Sequence, residues 1–110
     1  MFVAEIGGEV VGWCSLSQYR NGEGYRHTAE DSIYIKEGWT NKGIGTVLMK
    51  AMAAAARDLG FKTIIAFITG TNQPSIALHE KAGFVKTGCL RKAAVKFGQY
   101  YDLDIMQLFL

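Results

Sequence analysis

Residues 38–49, GWTNKGIGTVLM, place two close glycines and a lysine immediately before a run of helix-forming residues. The first N–H groups of a helix have no acceptor within the helix, and the helix dipole adds about half a positive charge there. Glycines at such a turn let an anion approach the backbone closely. Lys42 would add a positive charge, and Asn41 and Thr46 would add side-chain donors. These residues therefore predict a cradle for a pyrophosphate group.

Two common nucleotide-binding motifs do not match this stretch. The ATP-binding loop requires Gly-x-x-x-x-Gly-Lys-Ser/Thr, which GWTNKGIGT does not supply. The dinucleotide fingerprint requires a third glycine at the position where GIGTVL has Leu48. A structural alternative also stays open, in which Gly43 and Gly45 only permit a tight turn between a strand and a helix. The turn alone therefore leaves its ligand unassigned.

Alternating apolar residues predict three strands before this turn. The first strand alternates over residues 2–6, and a Gly-Gly pair then provides a two-residue hairpin turn that tolerates positive φ. The returning strand covers residues 10–19. Alternation at Ile33 and Ile35 marks a third strand, which leads directly into the glycine turn.

Two helices are predicted after the turn, with a buried strand between them. The run FKTIIAFIT is nearly continuously apolar, which is typical of a strand covered on both faces. Gly60 lies where the first helix should end, and Asn72, Pro74 and Gly83 are the expected N-cap, first-turn residue and end of the second helix. The first helix is predicted from an apolar stripe at helical spacing, formed by Ile44, Val47, Leu48, Ala51, Met52, Ala55 and Leu59.

Two final strands around a turn at Gly98 complete the order β-β-β-α-β-α-β-β. Because strands flank the first helix, we predict a right-handed crossover between two parallel strands. The remaining strand pairs are expected to be antiparallel, which gives a mixed α/β sheet. The 110 residues are enough for one domain, which we assign to residues 1–110.

Composition argues against several classes of partner. The formal net charge is only +2 and no long basic run occurs, so no nucleic-acid partner is expected. No apolar stretch of about 18 residues and no charged-then-apolar leader is found, so neither membrane insertion nor export is expected. Cys14 and Cys89 lie far apart and outside any Cys-x-x-Cys pair, so no metal is expected. We interpret both as reduced core residues of a cytoplasmic protein.

Two longer segments, IYIKEGWTNKGIGTVLMKAMAAAARDLGF and TNQPSIALHEKAGF, resemble the GNAT family of N-acetyltransferases. The resemblance is closest to the phosphinothricin/amino-acid N-acetyltransferase branch and extends over nearly the whole chain. It implies a GNAT-like fold and acetyl-CoA as co-substrate, with the pyrophosphate held by backbone amides of the motif Arg/Gln-x-x-Gly-x-Gly/Ala. That motif maps onto residues 40–45, where Thr40 replaces the long leading side chain. The cofactor-binding residues implied by the resemblance are Ile33, Tyr34, Ile35, Asn41, Lys42, Gly43, Ile44, Gly45, Thr46, Asn72 and Ser75.

The same resemblance implies two catalytic residues. Glu30 occupies the position of the general base, which the chemistry requires because an amine is protonated at neutral pH. His79 occupies the position of the acid that protonates the departing thiolate, and an imidazole can donate such a proton. Alternatives stay open: Glu30 as a solvated strand end, and His79 and Tyr34 as packing residues. Asp31 is expected to face the other side of the strand from Glu30.

Members of the family usually begin with a strand and two helices, before the hairpin with which this sequence starts. Those elements form one wall of the acceptor site and cover part of the sheet, so the resemblance implies a truncated GNAT-like fold. The sequence is then either a fragment or a naturally short version, and in the short version a homodimer is expected to cover the exposed sheet. The expected activity is acetyl transfer to the primary amine of a small molecule, either an amino acid or a phosphinothricin-like analogue. Two alternatives are an acyl-CoA-binding module without turnover and a structural or interaction domain.

Overall fold

The computed structural model describes residues 1–110, and its helices and strands follow the predicted order. A short 3₁₀ turn at Glu23–Tyr25 lies in the loop before the third strand and was not predicted. The strands are β1 (Phe2–Ile6), β2 (Glu9–Gln18), β3 (Thr28–Ile35), β4 (Thr63–Thr69), β5 (Val85–Lys96) and β6 (Gln99–Phe109), and the helices are α1 (Ile44–Asp58) and α2 (Gln73–Lys81).

All six strands form one sheet in the order β1-β2-β3-β4-β6-β5. β3 and β4 run parallel, as the crossover through α1 predicts, and all other neighbouring pairs are antiparallel. The mixed α/β fold predicted from the sequence is therefore confirmed. β1 and β5 are the two edge strands.

Local sequence explains where the helices begin and end. Gly43 is the N-cap of α1 with a φ of 83°, and Gly60, after the end of the helix, has a φ of 88°. Both values lie in the left-handed region that favours glycine. α2 is capped by Asn72, whose side-chain oxygen accepts a hydrogen bond from the N–H of Ser75 at 3.3 Å. Neither helix is long and apolar enough to cross a membrane.

Both helices pack against the same face of the sheet, which we call the helix face. Cys14 on β2 donates its thiol hydrogen to the main-chain oxygen of Leu48 in α1, at 3.7 Å. Asp31 on β3 contacts His79 in α2. Asp31 and Cys14 share a face, because Cys14 pairs with Ile33, two residues beyond Asp31. The core of this face contains Val11, Cys14, Ala29, Ile44, Leu48, Met49, Met52, Ala56, Ile64, Ala66, Ile68, Phe84 and Met106.

The opposite face of the sheet, which we call the open face, has no helix against it. Glu30, Tyr34 and Phe67 belong to this face, because they alternate along their strands with buried residues of the helix face. Tyr34 is half exposed there, at 50%.

The two cysteines differ in their surroundings. Cys14 is buried, as expected, but Cys89 is exposed, so its interpretation as a core residue is wrong. Cys89 lies on β5, an edge strand whose side chains are mostly exposed. An apolar run in the sequence does not distinguish such an edge strand from a central one.

β3 and β4 are paired only over their first residues. Their parallel register begins at Thr28 with Thr63 and ends at Glu30 with Ile65. β3 nevertheless continues to Ile35, and β4 continues for several residues beyond its last pair. The strands therefore separate after Glu30 and leave an opening in the sheet.

Candidate active site

The edge of β3 that faces the opening has unpaired main-chain groups. Lys36 donates its main-chain N–H to the main-chain oxygen of Val11 in β2, at 2.8 Å. Because the direction of the main-chain groups alternates along a strand, every second residue before Lys36 also points its N–H and C=O groups toward β2. Ile33 and Ile35 direct theirs to the other edge, beyond the last pair with β4. An extended ligand that carries amide groups can hydrogen-bond there as an added strand does.

β4 contributes main-chain groups from the other side of the opening. Gly70 donates its main-chain N–H to the main-chain oxygen of Asp102 at 2.9 Å. Every second residue of β4 before Gly70 therefore points its main-chain N–H and C=O groups toward β6. Phe67 and Thr69 consequently direct their main-chain groups toward β3. The oxygen of Thr69 accepts the N–H of Asn72 at 2.8 Å, whereas Phe67 lies beyond the paired part of the ladder. Both sides of the opening therefore offer backbone donors and acceptors.

The turn before α1 has the geometry of an anion-binding site. Asn41 has a φ of 60° and Gly43 a φ of 83°, so the chain turns sharply into the helix. The first helical hydrogen bond is donated by Val47 to the oxygen of Gly43, and no side chain caps α1. The N–H groups of residues 44–46 are consequently without an intrahelical acceptor. Together with the helix dipole they favour a negatively charged group at this position.

The two glycines of the turn serve different purposes. A Cβ added at Gly43 would meet nothing within 4 Å, but its φ of +83° would strain any other residue. A Cβ added at Gly45 would lie 2.8 Å from Cδ2 of Leu78 in α2. Gly45 therefore allows the close approach of α1 and α2, whereas Gly43 allows the backbone turn and leaves open space beside it.

A groove of about 540 Å³ connects the opening in the sheet with the start of α1. Every predicted cofactor-binding residue lines it except Lys42, which is exposed, and Ile44, whose side chain is buried in the core. The resemblance identified Thr40 as a departure from its motif, and Thr40 also lines the groove. The prediction missed further lining residues of the loop and of α2, namely Trp39, Pro74, Ala77, Leu78 and Lys81.

A second groove of about 350 Å³ lies beside the first, between α1 and α2. The two grooves share Thr46, Leu78 and Lys81. Lys50 and Arg57 also line the second groove, and neither they nor Lys81 forms an ion pair. This side of the site therefore carries uncompensated positive charge.

His79 lies behind the groove and does not line it. Its side chain is buried, with 1% of the residue exposed, and its ring packs against Phe84 with centroids 4.8 Å apart. Nε2 lies 2.9 Å from Oδ2 of Asp31. Nδ1 lies 2.7 Å from the main-chain oxygen of Ser75 and 3.4 Å from its Oγ. Both ring nitrogens are therefore engaged within the protein, and only Ser75 of this group lines the groove.

Glu30 lies on the open face, at the last pair before β3 and β4 separate. It pairs with Ser17 of β2 and Ile65 of β4 and is partly exposed. The structure therefore does not bring the two predicted catalytic residues together, because Glu30 and His79 lie on opposite faces of the sheet.

The partner of His79 is the residue that sequence reasoning missed. The alternation of the strand predicted that Asp31 faces away from Glu30, and this is confirmed. The sequence holds no signal for its contact with His79, because the two are 48 residues apart. Burial, and to a smaller extent the Asp31 carboxylate, raises the pKa of the Cys14 thiol.

Residues 1–84 match the family model described as the acetyltransferase (GNAT) family. The chain is 38% identical to the L-amino acid N-acyltransferase MnaT of Escherichia coli, over 98% of this chain and 63% of that protein. It is 36% identical to an L-methionine sulfoximine/L-methionine sulfone acetyltransferase of Pseudomonas aeruginosa, with the same coverage. The chain thus spans less than two thirds of the length of these relatives.

Solved structures show the same similarity. A GNAT superfamily phosphinothricin acetyltransferase from Sinorhizobium meliloti, solved in complex with acetyl-CoA, superimposes with a TM-score of 0.92. The two are 38% identical in sequence, and the match covers 98% of this chain and 59% of that one.

Proposed function

Because this chain belongs to the acetyltransferase (GNAT) family, we propose that it transfers an acetyl group from acetyl-CoA to the primary amine of a small molecule. The observation that carries the proposal is the groove at the separation of β3 and β4, which joins a free strand edge to an anion-binding helix start. The proposed acceptor is an amino acid or a phosphinothricin-like analogue, the substrates named for the related proteins.

The residues of the groove fit acetyl-CoA, which supplies an acetyl group activated as a thioester. The amides of residues 44–46 would bind the pyrophosphate, and the open space beside Gly43 gives it access to the backbone. The free main-chain groups of Ile33 and Ile35 would bind the amides of the pantetheine arm. The positive second groove lies next to this path and favours an anionic nucleotide end. Thr40 is too short to clamp phosphates, so the backbone provides most of the binding.

We assign the general base to Glu30. Its carboxylate is partly exposed on the open face, beside the opening that would hold the thioester, so an amine can approach it from that side. Two aromatic pairs lie on the same face: Trp13 stacks with Tyr34 at 6.2 Å between centroids, and Tyr19 with Phe67 at 6.1 Å. They form apolar walls on this side, which is a common setting for a small-molecule site.

Assembly and location are also proposed. The open face carries apolar side chains without a helix over them, and we infer that a second copy of the chain covers part of it. Light scattering at micromolar concentration should then give twice the mass of the chain, and a purely monomeric mass would contradict the dimer. The cytoplasm is the proposed compartment, because both cysteines are free.

Two measurements test the proposed function in sequence. Calorimetry with acetyl-CoA should show binding, and a thiol-release assay over a panel of amino acids and phosphinothricin should then show turnover with at least one amine. Binding without turnover would favour an acyl-CoA-binding module. If the chain does not bind acetyl-CoA even at millimolar concentration, only the third hypothesis remains, in which the chain is a structural or interaction domain and the glycines serve only to form the turn.

The variant Glu30→Gln tests the base within this function. General base catalysis typically contributes about 100-fold or more, so kcat should fall by about that factor while acetyl-CoA affinity stays nearly unchanged. The matched control is Glu5→Gln on β1, because Glu5 is exposed and forms no ion pair. Normal turnover in Glu30→Gln would show that another group accepts the proton.

A further inference from the structure

We propose that the Ser75 hydroxyl protonates the thiolate released by acetyl transfer, and that Asp31 and His79 resupply its proton from behind the groove. The inference rests on the proposed acetyltransferase function. It replaces direct donation by His79, which is 1% exposed and does not line the groove, with donation by the hydroxyl of Ser75, a residue that does line it.

The position of the proton on Nδ1 of His79 follows from its neighbours. Nδ1 lies 2.7 Å from the main-chain oxygen of Ser75, and a carbonyl oxygen can only accept. Nδ1 therefore carries a hydrogen and donates. The Ser75 Oγ, at 3.4 Å, is a second acceptor for the same N–H. Such catalytic contacts are often long before the substrate binds.

The contact between Nε2 and Asp31 also requires a proton. Nε2 and Oδ2 are 2.9 Å apart, and two bare acceptors at that distance would repel each other inside a buried pair. A proton therefore lies between them, whether it is bonded to the imidazole or to the carboxyl group. The pair thus holds one proton more than a neutral imidazole beside a carboxylate, and that proton is available for transfer.

This geometry distinguishes proton donation from nucleophilic catalysis. An Asp-His-Ser group resembles a hydrolase triad, in which the imidazole nitrogen nearest the serine accepts the hydroxyl proton. Here the nearest nitrogen, Nδ1, already carries a hydrogen because of the Ser75 carbonyl. While it holds that hydrogen it cannot accept a second one, so in the resting state the group can only donate toward Ser75 and the groove.

The step balances in atoms and charge. As the C–S bond breaks and the C–N bond forms, the Ser75 hydroxyl gives its proton to the thiolate sulfur. Its Oγ takes the hydrogen of Nδ1 in the same step. His79 is left as a neutral imidazole with its hydrogen on Nε2, donated to the Asp31 carboxylate, and its bare Nδ1 then faces the Ser75 carbonyl oxygen, an unfavourable contact that favours prompt return of the proton. Because the pair is buried, the proton returns through Ser75: solvent in the emptied groove protonates Oγ while the hydroxyl hydrogen passes back to Nδ1.

Nitrogen-15 NMR of the full chain tests the proton arrangement without any substrate. The chain has only two histidines, so the variant His27→Gln, which leaves only the ring signals of His79, assigns both sets. We expect Nδ1 of His79 to carry a hydrogen in the chain without ligand. An unprotonated Nδ1 would overturn the relay.

Kinetics test the catalytic role of the hydroxyl. Ser75→Ala keeps the backbone N–H that Asn72 caps, so the helix start is retained. Its kcat should fall by about 100-fold with KM for acetyl-CoA within about twofold, and Ser75→Thr should recover most of the rate. Asp31→Asn should lower kcat similarly, and the double variant should lose little more, because groups that act as one unit are not additive. Thr87→Val, which removes an exposed hydroxyl on β5, is the matched control.

The outcomes separate the two proposals. A wild-type chain that binds acetyl-CoA without turnover refutes the proposed function and the relay together. An active wild type with normal kcat in Ser75→Ala refutes the relay alone. A raised Kd for acetyl-CoA with unchanged kcat would likewise refute it, because Ser75 would then only bind the cofactor.

Discussion

Gly45→Ala should preserve folding but weaken acetyl-CoA binding. The new Cβ would lie 2.8 and 3.0 Å from the two δ-carbons of Leu78, closer than carbon atoms approach each other. Both are ends of a flexible side chain, so Leu78 can rotate away. An off-rotamer side chain costs about 0.5–1.5 kcal/mol, and alanine gains up to about 1 kcal/mol over glycine in a helix. The two terms nearly cancel, so the free energy of unfolding should change by less than about 1 kcal/mol.

The effect on binding should be larger than the effect on stability. Leu78 lines the groove, so a rotation away from α1 occupies part of the space that we propose for acetyl-CoA. A rise in Kd of about tenfold corresponds to about 1.4 kcal/mol. Urea unfolding gives the stability change and calorimetry gives the Kd. The double variant Gly45→Ala/Leu78→Ala should recover affinity, since the contact is then absent and the two positions are coupled.

Gly43→Ala is the comparison, because its Cβ meets nothing and only the backbone is strained. A left-handed residue other than glycine costs about 1–2 kcal/mol, so this variant should lose stability where Gly45→Ala does not. The reasoning fails if Gly45→Ala unfolds at much lower urea than Gly43→Ala. It also fails if Gly45→Ala binds acetyl-CoA normally.

Three further predictions concern α2, β5 and the second groove. Asn72→Ala should lower the free energy of unfolding by about 1 kcal/mol, because the helix loses its N-cap. Asn72→Ser should keep the free energy of unfolding nearly unchanged, because serine also caps helices, and urea unfolding of both variants would show the difference. Partial desolvation and then the carboxylate of Asp104, which is paired with Cys89 across the sheet, raise the pKa of the Cys89 thiol. Its alkylation should therefore accelerate only above the usual thiol range, and Asp104→Asn should shift that rise to lower pH while buried Cys14 stays unreactive. Lys81→Gln should weaken acetyl-CoA binding at low salt more than at high salt, since screening by salt removes the contribution of the lysine charge. An equal loss of affinity at both salt concentrations would contradict this role of the charge.

Much of the fold was predictable because its signals are local. Alternation marked the strands, the apolar stripe marked α1, and Gly43, Gly60 and Asn72 marked helix ends, all features of neighbouring residues. The parallel pairing of β3 and β4 followed from the strand-helix-strand connection through α1. The exposure of Cys89 was not predictable in this way, because it depends on which strand becomes the edge of the sheet.

The sequence by itself determined the order of the elements, the glycine turn before α1 and the family to which the chain belongs. Only the tertiary structure decided how the chemical groups are combined. It placed Glu30 and His79 on opposite faces, joined His79 to Asp31 and Ser75, and gave Gly45 a role in helix packing. Local periodicity fixes the direction in which a side chain leaves its own strand or helix. The contacts that it makes depend on register and packing between segments distant in the chain, and these are settled only when the whole core closes.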